Sequence, residues 1–73
     1  MKKTIYSGEH KHLVQQLRKA RIAAGYDQTK VAKLLGKTQS YISKIESGQR
    51  RIDLIQIKEF GKLYKKPLEY FIS

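Results

Sequence analysis

Polar side chains between positions 39 and 47 have the spacing of one face of a helix and suit hydrogen bonding to nucleic-acid bases. On a helical wheel, Tyr41, Ile42 and Ile45 point one way, and the polar residues Gln39, Ser40, Ser43 and Lys44 point the other. A glutamine amide can bond adenine N6 and N7 together, and a lysine can donate to guanine O6 or N7 or to a phosphate. Gln39, Ser40 and Lys44 are therefore candidate base contacts, and Ser43 is a candidate for a base or a thymine methyl.

A second set of polar and basic residues flanks this helix and suits contact with a phosphate backbone. Gln28 begins the preceding helix, whose free N–H groups and dipole favour phosphate. The others are Lys37, Thr38, Tyr41, Ser47, Arg50 and Arg51. Such contacts position a protein on nucleic acid without reading sequence. Any one of these side chains could instead only face solvent.

The remaining reactive residue types do not form a catalytic or metal-binding pattern. His10 and His12 are two residues apart, which puts them on different helix faces, unlike a metal-binding i, i+4 pair. We expect both to be exposed to solvent. Cysteine is absent from the chain, so no thiolate site or disulfide can form. With no nucleophile–base set and no glycine loop for phosphate, we expect no enzyme activity, no cofactor and no metal.

The charge of the chain favours polyanionic partners. Its 73 residues carry 16 Lys and Arg against 6 Asp and Glu, a net charge of +10. This excess attracts DNA, RNA or an anionic membrane and does not separate them. No apolar run approaches the roughly 20 residues of a membrane span, and the start of the chain lacks the apolar core of a secretory signal. We therefore expect a single cytoplasmic domain, associated with the nucleoid.

Capping and stop residues divide the chain into five predicted helices. Residues 1–8 are expected to be a flexible arm, and residues 9–73 the folded domain. Asp27, Thr38 and Asp53 are suitable N-caps, the last with Gln56 three residues on, and Gly25, Gly36 and Gly48 suit helix ends. The predicted helices are 9–24, 28–35, 39–47, one that begins after Asp53, and 68–72 after Pro67.

Apolar periodicity predicts which sides of these helices are buried. Inward positions are Leu13, Leu17, Ala20 and Ala24 in the first helix, Val31, Ala32, Leu34 and Leu35 in the second, and Leu54, Ile57, Phe60, Leu63 and Tyr64 in the fourth. Ile55 falls on the outer side. The apolar residues of the short last helix cannot all face inward, so we expect Leu68, Tyr70 and Ile72 to form a homodimer contact.

An ordered set of residues makes the chain resemble the lambda-repressor-like, Cro-type helix-turn-helix domains of bacterial and phage regulators, also called the xenobiotic-response-element family. The matching residues are Arg21, Gly25, Gln28, Val31, Ala32, Leu35, Gly36, Gln39, Ser40, Ile42 to Glu46, Gly48, Arg50, Arg51, Phe60, Tyr64, Leu68 and Phe71. The resemblance implies an all-α, compact five-helix bundle with helices 2 and 3 as the DNA-reading pair. It also implies a salt bridge between Arg21 and Glu46, and a Gln28 side chain that contacts the DNA backbone and braces Gln39.

Two positions depart from the family pattern. Gly61 stands where alanine is usual in helix 4, at a cost of about 1 kcal/mol in helix propensity. Pro67 replaces the usual serine-type cap of helix 5.

The function implied by the resemblance is that of a sequence-specific, double-stranded DNA-binding transcriptional regulator. We expect a repressor that reads a pseudo-palindromic operator as a homodimer, with helix 3 in the major groove. Activation through contact with polymerase is an alternative. The same fold would also suit an antitoxin, a restriction-modification controller, or an adaptor that binds a protein partner.

Overall fold

The structure, a computed structural model, describes residues 8–72, with side chains from residue 10 onwards. These residues form five α-helices: α1 Gly8–Ala23, α2 Gln28–Leu35, α3 Gln39–Glu46, α4 Leu54–Tyr64 and α5 Leu68–Ile72. The expected all-α bundle is confirmed for this part of the chain. Gly8, expected in the flexible arm, begins α1 instead, and residues 1–7 of that arm lie outside the described residues. Helices α1 and α3 each end one residue earlier than expected.

Side-chain caps begin α2, α3 and α4 at the predicted residues. The Asp27 carboxylate accepts a hydrogen bond from Lys30 N at 2.7 Å, and the Thr38 hydroxyl accepts one from Tyr41 N at 3.1 Å. Asp53 accepts from Gln56 N at 2.8 Å, while Gln56 Oε1 accepts from Asp53 N at 2.9 Å. These bonds satisfy backbone N–H groups that have no partner within the helix, and each contributes about 1 kcal/mol.

A three-residue turn sets α3 directly against α2. Gly36 has a φ of 69°, in the left-handed region that glycine adopts without a steric penalty. Lys37 N donates to Ala32 O at 2.8 Å, which closes the end of α2. Ala32 is buried, and its small side chain allows α2 and α3 to pack closely. The turn and this packing fix the orientation of α3.

All five helices contribute side chains to one core. The buried apolar residues are Leu13, Leu17 and Ala20 of α1, Val31 and Ala32 of α2, Ile42 and Ile45 of α3, Ile57, Phe60 and Tyr64 of α4, and Phe71 of α5. Phe71, Val31 and Ile42 have no exposed surface. Because burial of each large apolar side chain contributes roughly 1.5–3 kcal/mol, this core holds α3 in place through both of its isoleucines.

Three residues predicted to face inward are exposed instead. Leu34 is 47% exposed and Leu54 is 53% exposed, and Ala24 is also exposed. Leu34 lies at the edge of the stripe that Val31 and Leu35 define on two-turn α2. Leu54 is the first residue of α4, off the stripe that Ile57 begins, and Ala24 follows the end of α1. In each case the apolar period extends beyond the part of the helix that the core covers.

The glycine at position 61 is explained by the approach of α5. A Cβ atom at Gly61 would lie 2.9 Å from the Lys66 carbonyl oxygen and 3.4 Å from Phe71 Cε2. Lys66 N also donates to Gly61 O at 2.9 Å as the chain leaves α4. The glycine therefore allows the chain to turn back closely after α4 and to seat Phe71 in the core.

Candidate nucleic-acid interface

One face of α3 is anchored in the core and the opposite face is turned to solvent. Ile42 and Ile45 are buried. Gln39, Ser40 and Lys44, three of the four candidate base contacts, are exposed, and Ser43 is half-buried. The helix is therefore held rigidly with polar hydrogen-bonding groups outward, as reading of base edges requires.

Arg21 of α1 and Glu46 of α3 form a largely buried ion pair. Arg21 Nε lies 2.7 Å from Glu46 Oε2, and the two side chains are 12% and 6% exposed. Arg21 Nη1 also donates to Tyr26 O at 2.9 Å, just before the cap of α2. The pair thus links α1, the start of α2 and the end of α3.

A chain of hydrogen bonds continues from this ion pair to the first residue of α3. Gln28 Nε2 donates to Glu46 Oε1 at 3.1 Å, and Gln39 Nε2 donates to Gln28 Oε1 at 2.7 Å. We call the series Arg21, Glu46, Gln28 and Gln39 the glutamine relay. The bond between Gln28 and Gln39 is the brace that the family resemblance implied, whereas no sequence pattern indicated the bond from Gln28 to Glu46.

The carboxylate of Glu46 fixes which way both glutamine amides point. An ionised carboxylate only accepts hydrogen bonds, so Gln28 must turn its NH2 group towards Glu46 and its oxygen towards Gln39. Gln39 must in turn donate. Gln39 is exposed, and its Oε1 and second N–H take part in no hydrogen bond among residues 8–72. An amide oxygen next to an N–H is the acceptor–donor pattern that matches adenine N6 and N7.

Tyr64 lies in the electrostatic field of the same ion pair. Burial raises the pKa of its phenol far above the usual value, and the charge of Glu46 adds to the increase while Arg21 opposes it. Its ring stacks on Phe60 and packs against Tyr26. Its hydroxyl oxygen is buried and has no hydrogen-bond partner among the described residues.

Tyr41 brings together the two basic segments that flank α3. Lys37 Nζ, from the turn before α3, lies 5.3 Å from the centre of the Tyr41 ring, and the Arg50 guanidinium, from the loop after α3, lies 4.9 Å from it. Both distances allow cation–π attraction. Gln56 Nε2 of α4 donates to the Tyr41 hydroxyl at 2.7 Å. Two candidate backbone-contacting cations thus lie close to one half-buried ring.

The side chains of the other candidate backbone contacts differ in whether they have a hydrogen-bond donor for an anion. Arg51 is exposed and lines a shallow groove of about 470 Å³ with Arg50, Ile52, Asp53 and Gln56. The Thr38 hydroxyl accepts the capping bond and keeps its own proton to donate. Ser47 Oγ donates to Lys44 O at 3.1 Å, so its proton is directed at its own helix. Arg51 and Thr38 are therefore better placed than Ser47 to donate to an anion.

The candidate dimer residues of α5 are only partly available. Leu68 and Tyr70 are half-buried against the core, and Gln16 Nε2 donates to Tyr70 O at 3.0 Å. Ile72 is 56% exposed. Any contact made by this helix would therefore centre on Ile72.

The two histidines are less exposed than expected. Both have Nε2 shielded from solvent, and the His10 ring lies against the Gly48 backbone. The expectation that both are exposed was wrong, because both are half-buried. His10 is covered because the first turn of α1 packs over the end of α3. Within residues 8–72 no group of three or more potential ligands could hold a metal ion, and no helix is long and apolar enough to cross a bilayer.

Comparison with known proteins connects this geometry to a family. A family model described as helix-turn-helix matches residues 17–71. A protein of Rhodospirillum rubrum, described as an uncharacterized transcriptional regulator in the ATPase CF(0) region, is 32% identical over 62 residues, which is 85% of this chain and 57% of that protein. The chain thus spans just over half the length of this relative.

A solved structure has a similar fold. The restriction-modification controller protein C.AhdI from Aeromonas hydrophila superposes with a TM-score of 0.74 at 30% sequence identity. The match covers 82% of this chain and 87% of the controller.

Proposed function

Because the chain belongs to the helix-turn-helix family of DNA-binding regulators, we propose that it is a sequence-specific transcriptional repressor that reads double-stranded DNA with α3. The observation that carries the proposal is the outward face of α3, on which Gln39 is held by the glutamine relay while Ile42 and Ile45 are buried. A fixed amide loses little conformational entropy on binding, so its hydrogen bonds to a base contribute more to affinity.

Different residues dock the protein on DNA phosphates and read the base sequence. The positive surface draws the protein to DNA. Phosphates are then contacted by the start of α2 with Gln28, by Tyr41 with Lys37 and Arg50, and by Arg51. Gln39, Ser40, Ser43 and Lys44 then meet base edges in the major groove. Repression follows when the bound protein excludes polymerase from the promoter.

A second copy of the chain would let the protein read a pseudo-palindrome. Helix-turn-helix dimers place two reading helices about 34 Å apart, one turn of DNA. The exposure of Ile72, next to Leu68 and Tyr70, supports α5 as the contact. A protein that acts on DNA in this way works in the cytoplasm, at the nucleoid.

Control of a restriction-modification system is a second candidate role. The likeness in fold to a controller protein of such a system, over most of that protein's length, favours it over an antitoxin role. Transcription of restriction and modification genes, measured with and without the protein, tests this role, and transcription that does not change would contradict it.

Two variants test the separation of docking from reading. Gln39→Ala removes a base contact and is expected to lower discrimination between a selected site and a scrambled one by about 1–3 kcal/mol. Arg51→Ala removes a phosphate contact, so it should weaken binding to both DNAs alike and reduce the salt slope by about one. Gln15→Ala, an exposed glutamine of α1, is the matched control.

The readout is a salt-titrated gel shift of each variant on both DNAs. Unchanged discrimination by Gln39→Ala would contradict the reading role of α3, and a sequence-selective loss in Arg51→Ala would contradict the docking role. If wild type binds no DNA selectively and captures a protein partner instead, the role of protein-binding adaptor replaces that of regulator.

A further inference from the structure

Gln56 of α4 connects the cap of its own helix to the side of α3 that carries Tyr41. Its Oε1 accepts from Asp53 N at 2.9 Å, and its Nε2 donates to the Tyr41 hydroxyl at 2.7 Å. A backbone N–H can only donate, so the cap forces the amide oxygen towards Asp53 and the NH2 group towards Tyr41. The direction of the bond to Tyr41 is therefore set by the helix cap.

That direction determines what the Tyr41 hydroxyl can offer. A phenol oxygen that accepts a hydrogen bond still has its own proton to donate. Within residues 8–72 the hydroxyl takes part in the bond from Gln56 as acceptor, which leaves that proton for an outside partner. Burial raises the pKa of Tyr41, with Glu59 and Asp53 adding to the increase and Arg50 and the bond from Gln56 opposing it, so the proton is retained at neutral pH.

The surroundings of the hydroxyl suit an anionic acceptor. Lys37 and Arg50 lie close to the Tyr41 ring, and a groove lined by Arg50, Arg51, Ile52, Asp53 and Gln56 adjoins it. The three cations outnumber the nearby carboxylates of Asp53 and Glu59. An anionic oxygen placed there would meet a neutral O–H donor close to these cations. Hydrogen bonds of this kind, between a neutral donor and a charged acceptor, are about twice as strong as neutral ones.

We propose that Gln56 is a positioning residue that holds the Tyr41 hydroxyl as a hydrogen-bond donor to a DNA phosphate. Gln56 acts through Tyr41, so the N-terminal cap of α4 helps to orient a DNA-contacting hydroxyl on α3. This inference rests on the proposed DNA-binding function and adds to it a residue that neither the sequence motif nor the comparisons assign.

A double-mutant cycle tests the inference. Wild type, Tyr41→Phe, Gln56→Met and the double variant are compared by fluorescence anisotropy on the selected duplex and a scrambled one. Tyr41→Phe should weaken binding to both DNAs about tenfold, the scale of one hydrogen bond to a charged group. Gln56→Met should weaken binding about three- to tenfold when Tyr41 is present, and less than about twofold in the Tyr41→Phe background.

A purely structural role for Gln56 gives a different pattern. Neither substitution changes charge, so the salt slope should stay at its wild-type value; a displaced Lys37 or Arg50 would lower it. Equal losses in both backgrounds, a lower salt slope, or no loss with Gln56→Met would each overturn the proposal. Ile55→Gln, on the exposed side of the same helix turn, is the control and should bind as wild type.

Gln56→Met also removes the capping bond to Asp53 N, so a second substitution that keeps this bond is needed. Gln56→Glu keeps the capping box, but its free carboxylate oxygen would accept the Tyr41 proton. It should therefore lower affinity more in the Tyr41 background than in the Tyr41→Phe background, and an equal effect in both would count against the inference. Absence of selective DNA binding by wild type would instead contradict the proposed function. Failure of the proposed function can therefore be distinguished from failure of the inference about Gln56.

Discussion

Replacing Glu46 with glutamine is a severe test of the glutamine relay, because it keeps the shape of the side chain and removes its charge. Glu46 accepts from Arg21 Nε at 2.7 Å and from Gln28 Nε2 at 3.1 Å. An amide at this position still has one oxygen, which the guanidinium will take. The NH2 group must then face the NH2 group of Gln28, where two donors meet.

The expected loss of stability follows from the burial of the pair. Removing one partner of a buried ion pair costs about 3–5 kcal/mol. Because Arg21 is 12% exposed and keeps its bond to Tyr26 O, we expect the lower end, about 3 kcal/mol. For a domain of this size each 1 kcal/mol shifts Tm by about 4–8 °C, which gives a decrease of about 12–24 °C.

The substitution should also change DNA discrimination. To avoid the donor–donor contact, the Gln28 amide must rotate by half a turn, and Gln39 must then rotate to accept from it. The Gln39 oxygen then faces Gln28 and only its NH2 group is left for a base, so the match to adenine N6 and N7 is lost. We expect Glu46→Gln to lose a large part of the discrimination that Gln39→Ala loses.

Thermal unfolding and paired binding curves measure the two effects, with Glu59→Gln as control. Glu59 is exposed, and its replacement makes the same change in net charge. If Glu46→Gln melts within about 2 °C of Glu59→Gln, less than the shift for 1 kcal/mol, the ion pair does not stabilise the fold. If it also keeps wild-type discrimination, the relay does not orient Gln39.

Two further predictions concern the core. Gly61→Ala gains about 1 kcal/mol of helix propensity, but its Cβ would lie 2.9 Å from the Lys66 carbonyl oxygen. We therefore expect the free energy of unfolding, measured in urea, to fall by about 1–2 kcal/mol. A more stable variant would refute the close approach of α5 to Gly61. Tyr64→Phe removes a buried hydroxyl without a partner among the described residues, so stability at pH 7 should be unchanged or higher. Because burial raises the folded-state pKa of Tyr64, the unfolded state loses this proton first, and the stability of the fold falls as pH rises above the unfolded pKa of about 10. Tyr64→Phe should therefore unfold at a higher alkaline pH than wild type, and an equal midpoint would contradict the assignment.

The helices could be predicted from sequence because their signals are local. Asp27, Thr38 and Asp53 cap where they were expected to, since a cap needs only a side-chain acceptor and an N–H two or three residues on. The exposed positions of Leu34 and Leu54 could not be predicted in the same way. Whether an apolar residue at the edge of a stripe is buried depends on which neighbouring helix covers it.

Helical periodicity was enough to predict which residues share the exposed face of α3, but not the hydrogen bonds that connect them to the other helices. The pattern placed Gln39, Ser40 and Lys44 on one exposed face because helical periodicity is enough for that. The bond from Gln28 to Glu46 depends on the start of α2 meeting the end of α3, which no local pattern encodes. For Gln56 a signal was present: the capping box uses its oxygen and leaves its NH2 group in need of an acceptor.

Selection of binding sites from random duplex DNA, with the wild-type protein and with Gln39→Ala, is the sharpest test of whether α3 reads base sequence. We predict that wild type enriches two half-sites related by a pseudo-dyad, and that Gln39→Ala loses the preference at one base pair in each half-site while keeping the others. Failure of wild type to enrich any motif, or an identical motif from Gln39→Ala, would show that α3 does not read bases.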